Sequence, residues 1–198
     1  LTSRGHQVTA IARDISKIDG SNALTTAVEG NVSDASEVAQ IVANHDAVIS
    51  AFNAGWTNPN LYNDFLAGSE SIQKGVKKAG VKRLLVVGGA GSLEIQPGLQ
   101  LVDTPDFPEA YKPGATAARD YLNILKKETE LDWTFLSPAI EMNAGYKGSR
   151  TGKYRVNLDN PVFDQNNRSI ISVEDLAVAI VDEIEKPAHI HQRFTVGY

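Results

Sequence analysis

The stretch LTSRGHQVTAIARD, residues 1–14, reads as the end of a helix, a turn at Gly5 and an apolar strand over residues 7–13. A helix delivered through a glycine turn into a strand is the second half of a β-α-β unit. The rest of the chain continues that alternation. A short strand is expected at residues 26–29 and a helix at 33–45. Asp34 and Glu37 there have the spacing of a capping box, and Val38, Ile41 and Val42 form the apolar stripe. AVISAF, residues 47–52, is a strand with almost no polar alternation, as buried parallel strands tend to be.

Residues 61–78 form a helix with Leu61, Phe65, Ile72 and Val76 on its apolar face, closed by Gly80. RLLVV, residues 83–87, is the next strand. A proline-rich loop over 97–113 leads to a helix at 116–129, then to a strand at 133–136. Residues 153–167 read as irregular or hairpin structure. A helix over 172–184, opened by Ser172 and Asp175, and a short strand at 194–197 complete the chain. Short connections between alternating strands and helices specify a doubly wound parallel α/β sheet of the Rossmann type. No repeat, linker or low-complexity tract divides the 198 residues, so one domain is expected, with a small C-terminal lobe at about 139–171.

In that fold a first strand and a Gly-rich phosphate turn come before the helix end at residues 1–4. No G-x-G-x-x-G precedes strand 7–13, so the first strand and its turn are expected upstream of Leu1. That half-unit needs roughly 20–25 residues, a strand, a turn and most of a helix. Its strand lies centrally, and without it strands 7–13 and 47–52 each lose a ladder partner.

Composition narrows the function classes. The net charge is −5, which gives no basic footprint for nucleic acid or an anionic membrane. There is no cysteine, which rules out disulfides, zinc thiolates and a thiol nucleophile within these residues and fits a reducing cytoplasm. No apolar run approaches the ~20 residues of a membrane span. His189 and His191 lack an acidic partner pattern and read as surface residues, so no metal site is expected.

Ligands of an open α/β sheet sit outside the carboxyl ends of its strands. Those ends carry Arg13-Asp14, Asn31-Val32-Ser33-Asp34, Ala51-Phe52-Asn53 running on to Gly55-Trp56, Gly88-Gly89-Ala90-Gly91-Ser92, and Ser137-Pro138-Ala139. Together with RGHQVTAIAR, NVSDASEV, VISAFNAGW, VKRLLVVGGAGSL, LDWTFLSPA and ISVEDLAVAIVDEIEKP, they give the chain a resemblance to a known group. It resembles the atypical short-chain dehydrogenase/reductases of the NAD(P)H-flavin reductase and biliverdin reductase type.

The resemblance implies an NAD(P)H-dependent oxidoreductase that passes hydride to a flavin, a quinone or a similar planar acceptor. It implies cofactor contacts at Arg13, Asn31, Val32, Ala51, Phe52, Asn53, Gly88, Gly89, Ser137 and Pro138, with Trp56 and Met142 covering a small-molecule substrate. Arg13 favours the 2′-phosphate of NADP, whereas Asp14 beside it suits the ribose of NAD. The expected state is a monomer or homodimer.

The larger family's Tyr-x-x-x-Lys pair is missing. Tyr111 is followed four residues on by Ala115, and Tyr121 by Leu125. Gly88-Gly89 stands where a catalytic serine belongs, with Ser92 as the nearest hydroxyl. Ser92 and Tyr111 are the catalytic candidates, and Ser92 reads as a loop cap before it reads as a catalyst. Flavin reduction needs no acid pair, since the protein mainly orients two flat ring systems. The alternative is a dinucleotide sensor that has lost catalysis. A sugar-nucleotide epimerase or dehydratase is disfavoured, because it needs the missing pair and a larger C-terminal lobe.

Overall fold

Successive side chains of a strand point to opposite faces of its sheet, and residues 133–136 feed two cores in this way. The computed structural model describes residues 1–142 and 148–198. In it Trp133 and Phe135 join one core and Leu136 the other. The first core packs Val38 and Val42 of α1 (Ala35–Val42), Phe65, Ile72 and Val76 of α2 (Leu61–Lys78), and Tyr121, Leu122 and Leu125 of α3 (Lys112–Leu125). The second packs Leu176 and Ala179 of α4 (Val173–Glu185). Helices therefore cover both faces of a mostly parallel sheet, which is the doubly wound architecture.

The main sheet has the order β3 (Ala47–Ser50), β4 (Arg83–Val87), β7 (Asp132–Ser137), β9 (Gln192–Gly197), β8 (Arg155–Asn157). All pairs are parallel except β8 with β9. β1 (Val8–Ala12) pairs in parallel with β2 (Thr25–Glu29) as a separate ribbon. Among the described residues β1 pairs only with β2, and β3 only with β4. Each keeps one open ladder edge, and the side chains of Thr9 and His45 meet at 2.8 Å between the two strands.

Local signals explain most boundaries. Asp34 caps α1, accepting from the amides of Ser36 and Glu37 at 2.8 and 3.2 Å, a contact worth ~1 kcal/mol. Glu37 reaches past the cap to the Asn31 amide at 3.1 Å, so the expected reciprocal box is displaced by one turn. α3 begins at Lys112, not at 116, because Pro113 fits the first turn of a helix. β3 ends at Ser50, two residues short of the expected strand, where the chain leaves the sheet at Ala51 and Phe52. β8 and the small hairpin of β5 (Glu94–Gln96) with β6 (Leu99–Gln100) form in stretches read as irregular or loop.

A buried polar network ties β4, β7 and α4 at the amino ends of the strands. The guanidinium of Arg83 donates to Thr134 Oγ1 at 2.7 Å and to Glu183 Oε1 at 3.1 Å. Burial lowers the Arg83 pKa from its ordinary value, against the pull of Glu183. His189 is part of this network and not a surface residue. Its Nδ1 lies 2.8 Å from Glu183 Oε2, and its ring stacks on Phe194 at 4.3 Å. His191 is at the surface as expected, with Nε2 2.8 Å from the Leu131 carbonyl.

Candidate functional site

The carboxyl ends of β1 and β2 present one free cation and one committed acid. Arg13 follows β1, is exposed, and has no ion pair among the described residues. Asp14 is turned into its own loop. Its Oδ1 accepts from the Ser16 amide at 3.1 Å and the Ser16 hydroxyl at 2.5 Å, and Lys17 lies 3.6 Å from Oδ2. The Ser16 hydroxyl is the main cause of a lowered Asp14 pKa. After β2, Asn31 uses its Oδ1 to hold the Ser33 amide at 3.1 Å. Its Nδ2 has no partner among the described residues, and Val32 packs on the first core. An unpaired guanidinium and a free amide donor fit a phosphorylated nucleoside.

The loop after β3 is braced by its own polar groups. Asn53 Oδ1 accepts from the Gly55 amide at 2.7 Å. Asn58 donates to Ala54 O at 3.3 Å and to Asp64 Oδ2 at 2.8 Å. Phe52 folds back onto α2 and stacks on Phe65 at 6.0 Å. Gly68 leaves room for its ring, since a Cβ there would come within 2.5 Å of it. Ala51 is exposed at the strand tip. Trp56 stands 59 % exposed, edge-on to Tyr111, which is 55 % exposed. The residue four beyond Tyr111, Ala115, faces Gly91, where a Cβ would meet it at 2.8 Å. Lys112 is paired with Glu109 at 3.0 Å.

The glycines after β4 differ in kind. A Cβ on Gly88 would sit 1.9 Å from Phe135 Cζ, so this glycine is required by core packing. On Gly89 a Cβ would meet Ala118 at an ordinary 3.6 Å. Ser92 is buried. Arg193 donates to its carbonyl at 3.1 Å and to its hydroxyl at 3.3 Å. This geometry supports a structural cap in the loop and gives the hydroxyl no open face.

β7 ends at Ser137 and is followed by Pro138 and Ala139, all three buried. Ser137 is in register with Thr195 of β9, and both hydroxyls are buried without a hydrogen-bond partner among the described residues. Met142 is half-buried against the second core. Residues 143–147 of the expected C-terminal lobe lie outside the described residues. Where the chain is described again, Asp175 anchors it, accepting from the Thr151 hydroxyl at 2.6 Å, the Gly152 amide at 2.7 Å and the Tyr198 hydroxyl at 2.7 Å. Burial works to raise the Asp175 pKa, but these donors outweigh it and the net shift is downward.

Arg13, Asn31, Asn53, Gly89 and Pro138 thus all lie at strand carboxyl ends, as their positions in the sequence require. Three contributors escaped sequence reasoning: the Arg193–Asp159 pair, the Asp175 anchor and the approach of Gly114 to Trp56. A lone arginine inside the apolar strand QRFTVG was the one available signal, since a buried cation must find a partner. Among the described residues no helix is long and apolar enough to cross a membrane, and no group of three or more metal-ligating side chains converges.

Residues 1–187 match a family described as NAD(P)H-binding. The uncharacterised protein YwnB of Bacillus subtilis is 38% identical over 195 residues, which is 98% of this chain and 87% of that protein. A structure from Bacteroides thetaiotaomicron, provisionally called an epimerase, is 46% identical with a TM-score of 0.90, covering 100% of this chain and 88% of its own. One from Streptococcus pneumoniae, provisionally called an NADH-flavin reductase, is 35% identical with a TM-score of 0.84, covering 99% of this chain and 89% of its own.

Proposed function

Because the chain belongs to the NAD(P)H-binding family, we propose that it is an NADPH-dependent reductase of a flat acceptor, a flavin or a quinone, working in the reducing cytoplasm as a monomer or homodimer. The observation that carries this reading is the surroundings of Tyr111. Its ring leans on Trp56, and the position of the partner lysine is an alanine packed near Gly91. A carbonyl or sugar substrate would need an acid at that point. Flavins and quinones take their proton from water once hydride has arrived. The name of the pneumococcal relative points to the same acceptor class, though with NADH.

Each strand end then has a task. Arg13 holds the 2′-phosphate and Asn31 Nδ2 donates to the adenine edge, against the side chain of Val32. Ala51, Phe52 and Asn53 flank the ribose beyond. Gly89, with Gly88 behind it, and the Ser137-Pro138 turn bound the nicotinamide. Trp56 and Met142 cover the acceptor. When bound, the reduced nicotinamide supplies a hydride; the protein's own part is to align two rings and exclude water.

The test is oxidation of NADPH by full-length protein with riboflavin, FMN or menadione as acceptor. Turnover with at least one supports the reading. Tight NADPH binding without turnover by any of them overturns it in favour of a non-catalytic sensor.

A further inference from the structure

Trp56 and Tyr111 are both more than half exposed, yet the backbone that carries them is closely held. Gly55 turns through a positive φ of 102°, the Asn58 amide donates to the Gly55 carbonyl at 3.0 Å, and Asn58 and Asn60 both donate to Asp64. Beneath the indole lies Gly114, where a Cβ would come within 3.0 Å of the Trp56 ring and 3.2 Å of Leu61. The loop therefore fixes a large apolar side chain at the surface instead of burying it. That is the arrangement of a binding surface made ready before its ligand arrives.

The geometry of the pair defines what fits. The ring centroids are 5.6 Å apart and the planes stand at 83°. Two exposed rings at a right angle make a corner. A third flat ring can stack on one face while meeting the other ring edge-on, the two orientations that aromatic quadrupoles favour. A small carbonyl compound gains little from such a corner, and a sugar can use only one of its faces, without the edge-on contact a second aromatic ring makes. The corner is also placed for the chemistry, because Trp56 follows β3 and Tyr111 opens α3, behind the loop that leaves β4.

We propose that Trp56 and Tyr111 form a stacking corner that selects a flat aromatic acceptor, with Tyr111 acting through its ring and not its hydroxyl. The inference rests on the reductase reading for its location, and the experiment separates the two.

Riboflavin is the probe. The chain has two tryptophans, Trp56 exposed and Trp133 buried, and a bound flavin can accept energy from both, so the same titration of Trp56→Phe gives the share of quenching that Trp133 contributes. Titration of full-length protein with riboflavin is expected to quench tryptophan fluorescence to saturation, and Tyr111→Ala to weaken that binding several-fold. In turnover, Trp56→Ala is expected to raise the riboflavin KM by about tenfold or more, with the NADPH KM changed less than about twofold, and Trp56→Phe to restore most of the loss. Turnover with an unaltered riboflavin KM in Trp56→Ala overturns the corner and leaves the reductase standing. Saturable quenching without turnover overturns the reductase and leaves the corner as a binding site. Quenching that rises linearly without saturation, together with no KM change, removes the corner altogether.

Discussion

Arg193 on β9 donates to both the carbonyl and the hydroxyl of Ser92, and its guanidinium also pairs with Asp159. The serine is thus a strut between the loop after β4 and the far side of the sheet. Ser92→Ala removes one of two contacts to a charged donor, and Arg193 keeps its bonds to the carbonyl and to Asp159. A stability loss of ~1 kcal/mol is expected. Reductase turnover should fall by less than about tenfold, ~1.4 kcal/mol, and Tyr111→Phe should do the same. A loss near a thousandfold in either variant would reveal an acid catalyst. Denaturation midpoints measured beside steady-state kinetics separate the two effects.

Gly88 and Gly89 are neighbours with opposite requirements. Gly88→Ala drives a methyl into the Phe135 ring, which has no exposed side to retreat to. Overpacking of this kind costs about 1–3 kcal/mol or more, and Phe135→Leu should recover part of it. Gly89→Ala has only an ordinary contact with Ala118 to make. Its stability is expected within about 0.5 kcal/mol of wild type, with weaker NADPH binding as its signature. Paired thermal melts and NADPH titrations check both. Equal destabilisation by the two substitutions would contradict the packing argument.

Which features were legible follows from how local their causes are. The strand RLLVV and the apolar stripes of α1 and α2 could be read directly, because continuous burial writes itself into neighbouring residues; on α4 Leu176 is buried but Val173, expected to face inward with it, is exposed. α3 starts four residues before the sequence pattern places it, because the first helical turn tolerates proline and Pro113 sits there. β8 is three exposed residues on a sheet edge and offers no alternation to detect. At the site, the exposure of Trp56 was readable from its Asn-Pro loop. The burial of Ser92 and the reason for Gly88 were not, since Arg193 and Phe135 come from distant stretches of chain.

Glu128, just beyond the end of α3, makes stability depend on acid. Burial alone would raise its pKa, but the Glu130 amide at 2.7 Å, Gln73 at 2.7 Å and Lys77 at 3.1 Å outweigh it and hold the carboxyl at about 2. In the unfolded chain a glutamate titrates near ~4.3. The folded pKa is the lower one, so the contribution is full above about pH 4.3 and is lost as pH falls toward 2. The side chain is only 6% exposed, so solvent screening is weak, and the contribution is of order 2–3 kcal/mol. Urea denaturation of wild type between pH 5 and 2.5 should show a decline that Glu128→Gln flattens. A parallel decline in both proteins would assign the acid sensitivity to other carboxylates.

Cofactor choice turns on two adjacent residues whose side chains have gone separate ways. Asp14 spends its Oδ1 on the amide and hydroxyl of Ser16 and has Lys17 beside its other oxygen. To reach a ribose it would have to break that turn. Arg13 is exposed at the tip of β1 and bonded to nothing among the described residues. A guanidinium in that position can grip a 2′-phosphate with charge-assisted, often bidentate bonds of about 1.5–3 kcal/mol each. NADH offers it only a hydroxyl. Full-length protein is therefore expected to bind NADPH at least about tenfold more tightly than NADH, and Arg13→Ala to remove most of that difference. Because the contact is ionic and exposed, the preference should also shrink as salt is raised. Asp14→Ala should leave the preference in place while loosening the turn at Ser16. Titrations of the three proteins with both cofactors, at low and high salt, decide the matter. Equal affinities in the wild type, or a preference for NADH lost in Asp14→Ala, would transfer the ribose contact to Asp14.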